Sequence, residues 1–124
     1  MASILVVDDN LRMRETIQKI LNAAGHEVAI AADGFEAERV LADAKADLVV
    51  TDVIMPDKEG LTLLRDLKAA NSGLRVIVMS GGGRSGSSTF LDVAARFGAD
   101  AVLQKPFRAR DLVDIVARTL DRRP

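Results

Sequence analysis

Short apolar runs of strand length alternate along this chain with segments in which apolar residues recur at helical spacing. The strand-like runs are residues 4–7, 28–31, 48–51, 76–79 and 101–103. The segments with helical spacing lie within residues 11–21, 35–41, 61–67, 90–95 and 112–120. This alternation predicts five strands, each followed by a helix.

Five strands alternating with five helices are typical of right-handed βαβ crossovers around a parallel sheet. The first, third and fourth runs are apolar on successive residues, as in central strands that are covered on both faces. The last predicted helix ends close to Pro124. We therefore expect a single α/β domain over residues 1–124, with no output domain attached.

The composition supports a globular domain and argues against several classes of partner. Hydrophobic residues make up 48% of the chain, enough for a core, and the absence of cysteine excludes disulfides. The net charge of −1 gives no general attraction to nucleic acid or to anionic membranes. No apolar segment reaches the length of a membrane span. We expect a cytoplasmic domain that binds neither nucleic acid nor membrane.

Polar side chains stand at the ends of four predicted strands. Asp8 and Asp9 end the first, Asp52 the third, Ser80 the fourth and Lys105 the fifth. In an open α/β sheet, ligands bind outside the carboxyl ends of the strands, so these side chains should share one edge. Three neighbouring carboxylates repel one another, and Mg²⁺ with its oxygen ligands would remove that repulsion. With Lys105 as a second positive charge, the edge would suit an incoming phosphoryl group and Asp52 as its nucleophile.

Each of these residues also has a simpler interpretation when it is taken alone. Asp8 and Asp9 could be acids that favour the beginning of a helix, and Asp52 could be a turn residue. Lys105 could be a solvated charge before a proline turn, and Ser80 could simply begin a loop. Their joint occurrence at four strand ends favours a functional site.

Four motifs give the chain a resemblance to a known family. They are VVDDN at 6–10, TDVIMPDKEG at 51–60, MSGG at 79–82 and GADAVLQKPF at 98–107. In this order and spacing the chain resembles the receiver domains of two-component response regulators, of the stand-alone type similar to chemotaxis response regulators. The resemblance implies a flavodoxin-like (βα)5 three-layer sandwich whose five parallel strands have the order 2-1-3-4-5.

The resemblance also implies a magnesium site and a phosphoacceptor. Asp52 would accept the phosphoryl group and take part in binding Mg²⁺. Asp9 would bind the ion directly, Asp8 would contribute through water, and the backbone carbonyl of Ile54 would complete the protein ligands.

Further residues would bind the phosphoryl group and transmit its presence. The resemblance implies that the Ser80 hydroxyl donates to a phosphoryl oxygen, and that Lys105, joined to Pro106 by a cis peptide bond, pairs with the group. Ser80 and Val102 occupy the switch positions, although the position of Val102 is often aromatic in the family. The segment between Ser80 and Lys105 is also a few residues longer than is common.

The function implied is that of a phosphoacceptor and not of an enzyme beyond self-phosphorylation and autodephosphorylation. The phosphoryl donor would be a histidine kinase or a histidine phosphotransfer protein, and a downstream effector protein would be the target. A phosphorylation-dependent dimer is left open.

Three other classes of protein fit the sequence less well. A phosphatase of the haloacid-dehalogenase type needs a second aspartate where this chain has Ile54. A pseudo-receiver, a pure interaction module, typically loses part of the acidic and lysine set that is complete here. A flavodoxin-like electron carrier would want a phosphate-binding hydroxyl loop after the first strand, where Asp8 and Asp9 stand.

A few residues are expected to have no role in the chemistry. His26 should be exposed and passive, and Arg12 and Arg14 should lie on the surface of the first helix, on its turn nearest the acidic edge. The glycine-rich segment at 80–88 fits the spacing of a P-loop, but Ser87 replaces the lysine that would grip a phosphate, which excludes nucleotide binding.

Overall fold

A computed structural model of the chain describes residues 2–43, 45–52, 60–71, 73–80 and 98–121, with residues 60–62 and 80 described by their backbone alone. The strands are β1 (Ser3–Val7), β2 (Glu27–Ala31), β3 (Leu48–Asp52), β4 (Arg75–Ser80) and β5 (Ala101–Gln104). The helices are α1 (Leu11–Ala23), α2 (Gly34–Asp43), α3 (Gly60–Ala70) and, at the C-terminal end, α4 (Ala109–Asp121). The helix predicted around residues 90–95 lies outside the described residues.

The five strands form one parallel sheet in the order β2-β1-β3-β4-β5. This confirms the predicted order 2-1-3-4-5 and the prediction that the first, third and fourth apolar runs are the central strands. The described residues of β3 are buried throughout, whereas the edge strand β2 alternates exposed and partly buried residues. Each pattern matches the number of faces on which helices cover the strand.

Two hydrophobic clusters lie on opposite faces of the sheet, as a three-layer sandwich requires. Leu5 and Val7 of β1 point into the cluster that contains residues of α2 and α3. Ile4 and Val6 point into the other cluster, with residues of α1 and α4. Because successive strand residues face opposite sides, a continuous apolar run is needed to fill both layers.

Two glycines in the left-handed region end or connect elements. Gly25 follows α1 with φ +98°, which confirms the predicted stop of the first helix. Gly98 has φ +101°, and a Cβ added there would lie 3.3 Å from Cγ of Lys68 on α3. The ammonium of Lys68 is 2.8 Å from Oδ2 of Asp100, which also accepts the N–H of Val76 at 2.8 Å. The approach to β5 is therefore packed against α3.

His26 is half-buried, and the prediction of an exposed residue was wrong. Its Nδ1 accepts the backbone N–H of Ala2 at 3.2 Å, which places the imidazole beside the beginning of β1. In the described parts of the chain, no helix is long and apolar enough to cross a membrane.

Candidate functional site

The carboxyl edge of the sheet brings together residues that are far apart in the chain. Asp8 follows β1, Asp52 is the last residue of β3, and Lys105 follows β5. The ammonium of Lys105 lies 3.3 Å from Oδ2 of Asp8 and 3.4 Å from Oδ2 of Asp52. Because β1, β3 and β4 are adjacent and β5 pairs with β4, these strand ends converge on one site.

Three carboxyl groups lie at this site, as the sequence predicts. Each of Asp8, Asp9 and Asp52 offers a carboxylate oxygen, and these atoms all lie within 4.8 Å of one another. Asp8 is fully buried, Asp52 is 9% exposed and Asp9 is exposed. One lysine therefore faces two buried carboxyl groups, with a third beside them.

Burial raises the pKa of Asp8 above its ordinary value of 3.8, and the nearby Asp52 carboxylate raises this pKa further. The backbone N–H of Asn10 and the charge of Lys105 act in the opposite direction. Because the pKa is raised overall, these two partners do not fully offset the cost of burying the ionised carboxylate. A hard divalent cation with oxygen ligands fits such a group of carboxylates.

The turn between β1 and α1 orients the carboxyl group of Asp8. Oδ1 of Asp8 accepts the backbone N–H of Asn10 at 2.9 Å, and Oδ1 of Asn10 accepts the N–H of Met13 at 3.0 Å as the cap of α1. Nη1 of Arg14 donates to the backbone carbonyl of Asp8 at 2.8 Å. The cap could have been predicted from the asparagine before the apolar periodicity, but the Arg14 contact was missed.

Of the remaining predicted site residues, the structure describes the backbone of Ser80 and the whole of Val102. Ser80 ends β4 and is paired in register with Gln104, the residue before Lys105, so its backbone is at the same edge. Val102 is half-buried in β5 and paired with Val78. The Lys105–Pro106 peptide bond is cis, as expected.

Two further predictions fall outside the described residues: the carbonyl ligand of Ile54 and the glycine-rich segment after Ser80.

The sequence matches one protein family over almost the whole chain. Residues 4–117 match the family model described as response regulator receiver domain. The chain belongs to this family. Members of the family are phosphoacceptors and not classical enzymes.

Curated relatives of this receiver domain are regulators of greater length. The DNA-binding transcriptional regulator NtrC of Azospirillum brasilense is 38% identical over 122 residues, 97% of this chain and 24% of the relative. The response regulator MprA of Mycobacterium sp. (strain KMS) is 37% identical over 110 residues, 89% of this chain and 46% of the relative. The chain thus spans less than half the length of each, and its predicted stand-alone organisation stays a prediction.

Solved structures of other receiver domains have the same fold. The receiver domain of NtrX from Brucella abortus superposes with a TM-score of 0.89 at 33% identity, covering 97% of this chain and 99% of that one. The chemotaxis protein CheY4 of Vibrio cholerae gives a TM-score of 0.87 at 27% identity, covering 96% of this chain and 98% of that one. The flavodoxin-like arrangement is therefore shared with the receiver domain of NtrX and with CheY4.

Proposed function

We propose that this receiver domain accepts a phosphoryl group on Asp52 from a phosphohistidine of a histidine kinase or a histidine phosphotransfer protein. The observation that carries the proposal is the position of Asp52 at the end of β3, with its Oδ2 3.4 Å from the ammonium of Lys105. Asp52 is the last residue of the buried strand β3 and is itself 9% exposed, so its carboxylate lies at the carboxyl edge of the sheet.

The transfer is a substitution at phosphorus. A carboxylate oxygen of Asp52 forms a bond to the phosphorus atom, while the bond from phosphorus to the donor imidazole breaks and its electron pair returns to the nitrogen. The acyl phosphate carries more negative charge than the carboxylate, and Lys105 is close enough to pair with its oxygens. Hydrolysis of the acyl phosphate would return Asp52 to its carboxylate.

The carboxyl groups of Asp8, Asp9 and Asp52 would hold a Mg²⁺ ion, together with the backbone carbonyl of Ile54. When bound, the ion would neutralise negative charge on the transferring phosphoryl group. Asp8 is buried and Asp9 is exposed, which is consistent with Asp9 as the more direct ligand and Asp8 as a contributor through water.

The response to phosphorylation would begin at Ser80, whose hydroxyl would donate to a phosphoryl oxygen. Val102, at the other switch position in β5, has a small and stiff side chain and would change little. The output would be binding to a downstream effector protein in the cytoplasm, or formation of a phosphorylation-dependent dimer. The low net charge gives no reason to expect direct binding to nucleic acid.

The proposal is tested by incubating the protein with acetyl phosphate and Mg²⁺ and measuring the intact mass. The wild type and Asp43→Asn should gain one phosphoryl group, and Asp52→Asn should gain none. Asp43 is a matched control because it is an exposed aspartate at the end of α2, at the opposite edge of the sheet. Labelling of Asp52→Asn at the wild-type level would refute the assignment, and an unlabelled wild type would favour a pseudo-receiver.

A further inference from the structure

The guanidinium of Arg14 contacts the peptide group that joins Asp8 to Asp9. Its Nη1 donates to the carbonyl oxygen of Asp8 at 2.8 Å. Arg14 is half-buried in the first turn of α1, and the structure shows no other hydrogen bond or ion pair of its side chain with a described residue. Arg14 therefore binds the backbone between Asp8 and Asp9 and not one of their carboxylates.

This peptide group controls the relative orientation of two of the carboxyl groups. A peptide unit is planar, so a restraint on its oxygen also fixes its N–H, which belongs to Asp9. The Cα atoms of Asp8 and Asp9, which carry the two side chains, are the two ends of this planar unit. Its orientation therefore helps to decide whether their oxygens converge, as they do within 4.8 Å of each other and of Asp52.

The other contacts of the turn do not hold Asp9. The N–H of Asp8 donates to the carbonyl of Ala31 at 3.2 Å, and Oδ1 of Asp8 accepts the N–H of Asn10 at 2.9 Å. No side-chain hydrogen bond found among the described residues involves Asp9. Among the described residues, the hydrogen bond from Arg14 is consequently the contact that restrains the peptide group between Asp8 and Asp9.

We propose that Arg14 is a positioning residue, which holds the Asp8–Asp9 turn in the geometry that binds the divalent cation. The inference rests on the proposed function, since it assumes that the three carboxyl groups bind Mg²⁺. Arginine suits the task because its guanidinium is planar and always charged, and donates in fixed directions, whereas a lysine ammonium is a rotatable point charge.

The first test compares Mg²⁺ affinities of unphosphorylated variants. The chain has no Trp or Tyr, so binding is best followed by isothermal titration calorimetry. Loss of an outer-shell partner typically weakens metal binding about 10- to 100-fold, and we expect that for Arg14→Met. Arg12→Met, which removes an exposed cation from the same turn, should stay within about twofold of the wild type.

A second measurement separates positioning from general damage. The rate of self-phosphorylation from acetyl phosphate is measured against Mg²⁺ concentration. For Arg14→Met the half-saturating concentration should rise by the same factor as the dissociation constant, while the rate at saturation should approach that of the wild type. Arg14→Lys keeps the charge and a donor, so its affinity should lie between those of Arg14→Met and the wild type.

The outcomes distinguish this inference from the proposed function. If the wild type binds Mg²⁺ and Arg14→Met binds it equally well, the positioning role is refuted and the proposed function stands. Equal weakening in Arg12→Met and Arg14→Met would also refute it, because only charge would matter. A wild type that binds no Mg²⁺ overturns both. If Arg14→Met does not fold, affinity of Arg14→Lys at the wild-type level refutes the inference.

Discussion

The ammonium of Lys105 lies 3.4 Å from Oδ2 of Asp52, across a gap between β5 and β3 that is bridged by β4. The same nitrogen is 3.3 Å from Oδ2 of Asp8, so a single cation is shared by two carboxyl groups. The side chain of Lys105 is 20% exposed, which limits screening by water. This arrangement makes the stability of the domain depend on the charges of its own site.

Lys105→Gln should lower the free energy of unfolding at neutral pH in the absence of divalent cations. The variant leaves the buried Asp8 carboxyl without its nearest cation, which should cost about 1–3 kcal/mol. Urea unfolding measures the loss, with Lys19→Gln, an exposed lysine of α1, as the control. If the two variants had the same free energy of unfolding, the ion pairs of Lys105 would contribute nothing to stability.

The contribution of Asp8 to the stability of the metal-free protein should fall as the pH rises above 3.8, the ordinary pKa of an aspartate. Burial raises the pKa of Asp8 in the folded state, so the folded protein binds more protons than the unfolded chain above this pH. Stability is then lost as the pH rises through the folded pKa.

Asp8→Asn should remove this dependence and melt at a higher temperature than the wild type at neutral pH without metal. The amide oxygen can still accept the N–H of Asn10. The difference should shrink as the pH approaches 3.8. Thermal unfolding in a chelator, with Asp43→Asn alongside, measures the effect. A variant that melts below the wild type at neutral pH would contradict the assigned cost of the buried charge.

Two glycines with nearly the same φ should respond differently to alanine. Gly25→Ala meets no atom within 4 Å and should cost only backbone strain, about 1–2 kcal/mol. Gly98→Ala brings a Cβ 3.3 Å from the stem of Lys68, whose ammonium is held by Asp100, and should cost about 1 kcal/mol more. Adding Lys68→Ala should remove this excess in a double-mutant cycle, and additive losses would contradict the contact.

Val102 should respond little to a phosphoryl mimic. Its β-branched side chain is stiff and half-buried in β5, so it lacks the freedom of the aromatic residue common at this position. Methyl NMR with and without beryllofluoride measures the change, and Val28 in the opposite edge strand serves as the control. A change of rotamer at Val102 would contradict a passive role.

Much of the fold follows from the apolar pattern. The predicted bounds of the strands differ slightly from the observed ones, and this difference has a physical cause. The predicted fourth strand covered residues 76–79, whereas β4 also includes Arg75 and Ser80. Arg75 pairs in register with Leu48, and Ser80 with Gln104. Backbone pairing continues regardless of side-chain polarity, so a hydrophobic run marks the buried part of a strand and not its ends. The order of the strands came from the resemblance and not from the pattern.

The cluster of charged residues at the carboxyl edge of the sheet could be predicted because these residues directly follow apolar runs. The contacts of Arg14 and His26 could not, since each involves a backbone group. Outside local motifs such as the Asn10 cap, a side chain that bonds to a backbone carbonyl or N–H has no preferred partner residue in the sequence. Only the folded turn shows that Nη1 of Arg14 reaches the carbonyl of Asp8.

The ion pair between Asp8 and Lys105 joins residues 97 positions apart in the chain. Contacts of such long sequence separation require the closure of a large loop and are among the slower ones to form. Until β5 docks, the carboxyl groups at the ends of β1 and β3 face each other without their lysine. Docking of this edge strand is therefore favoured electrostatically as well as by burial. We expect loss of β5 from the sheet to abolish acceptor chemistry before the central strands unfold.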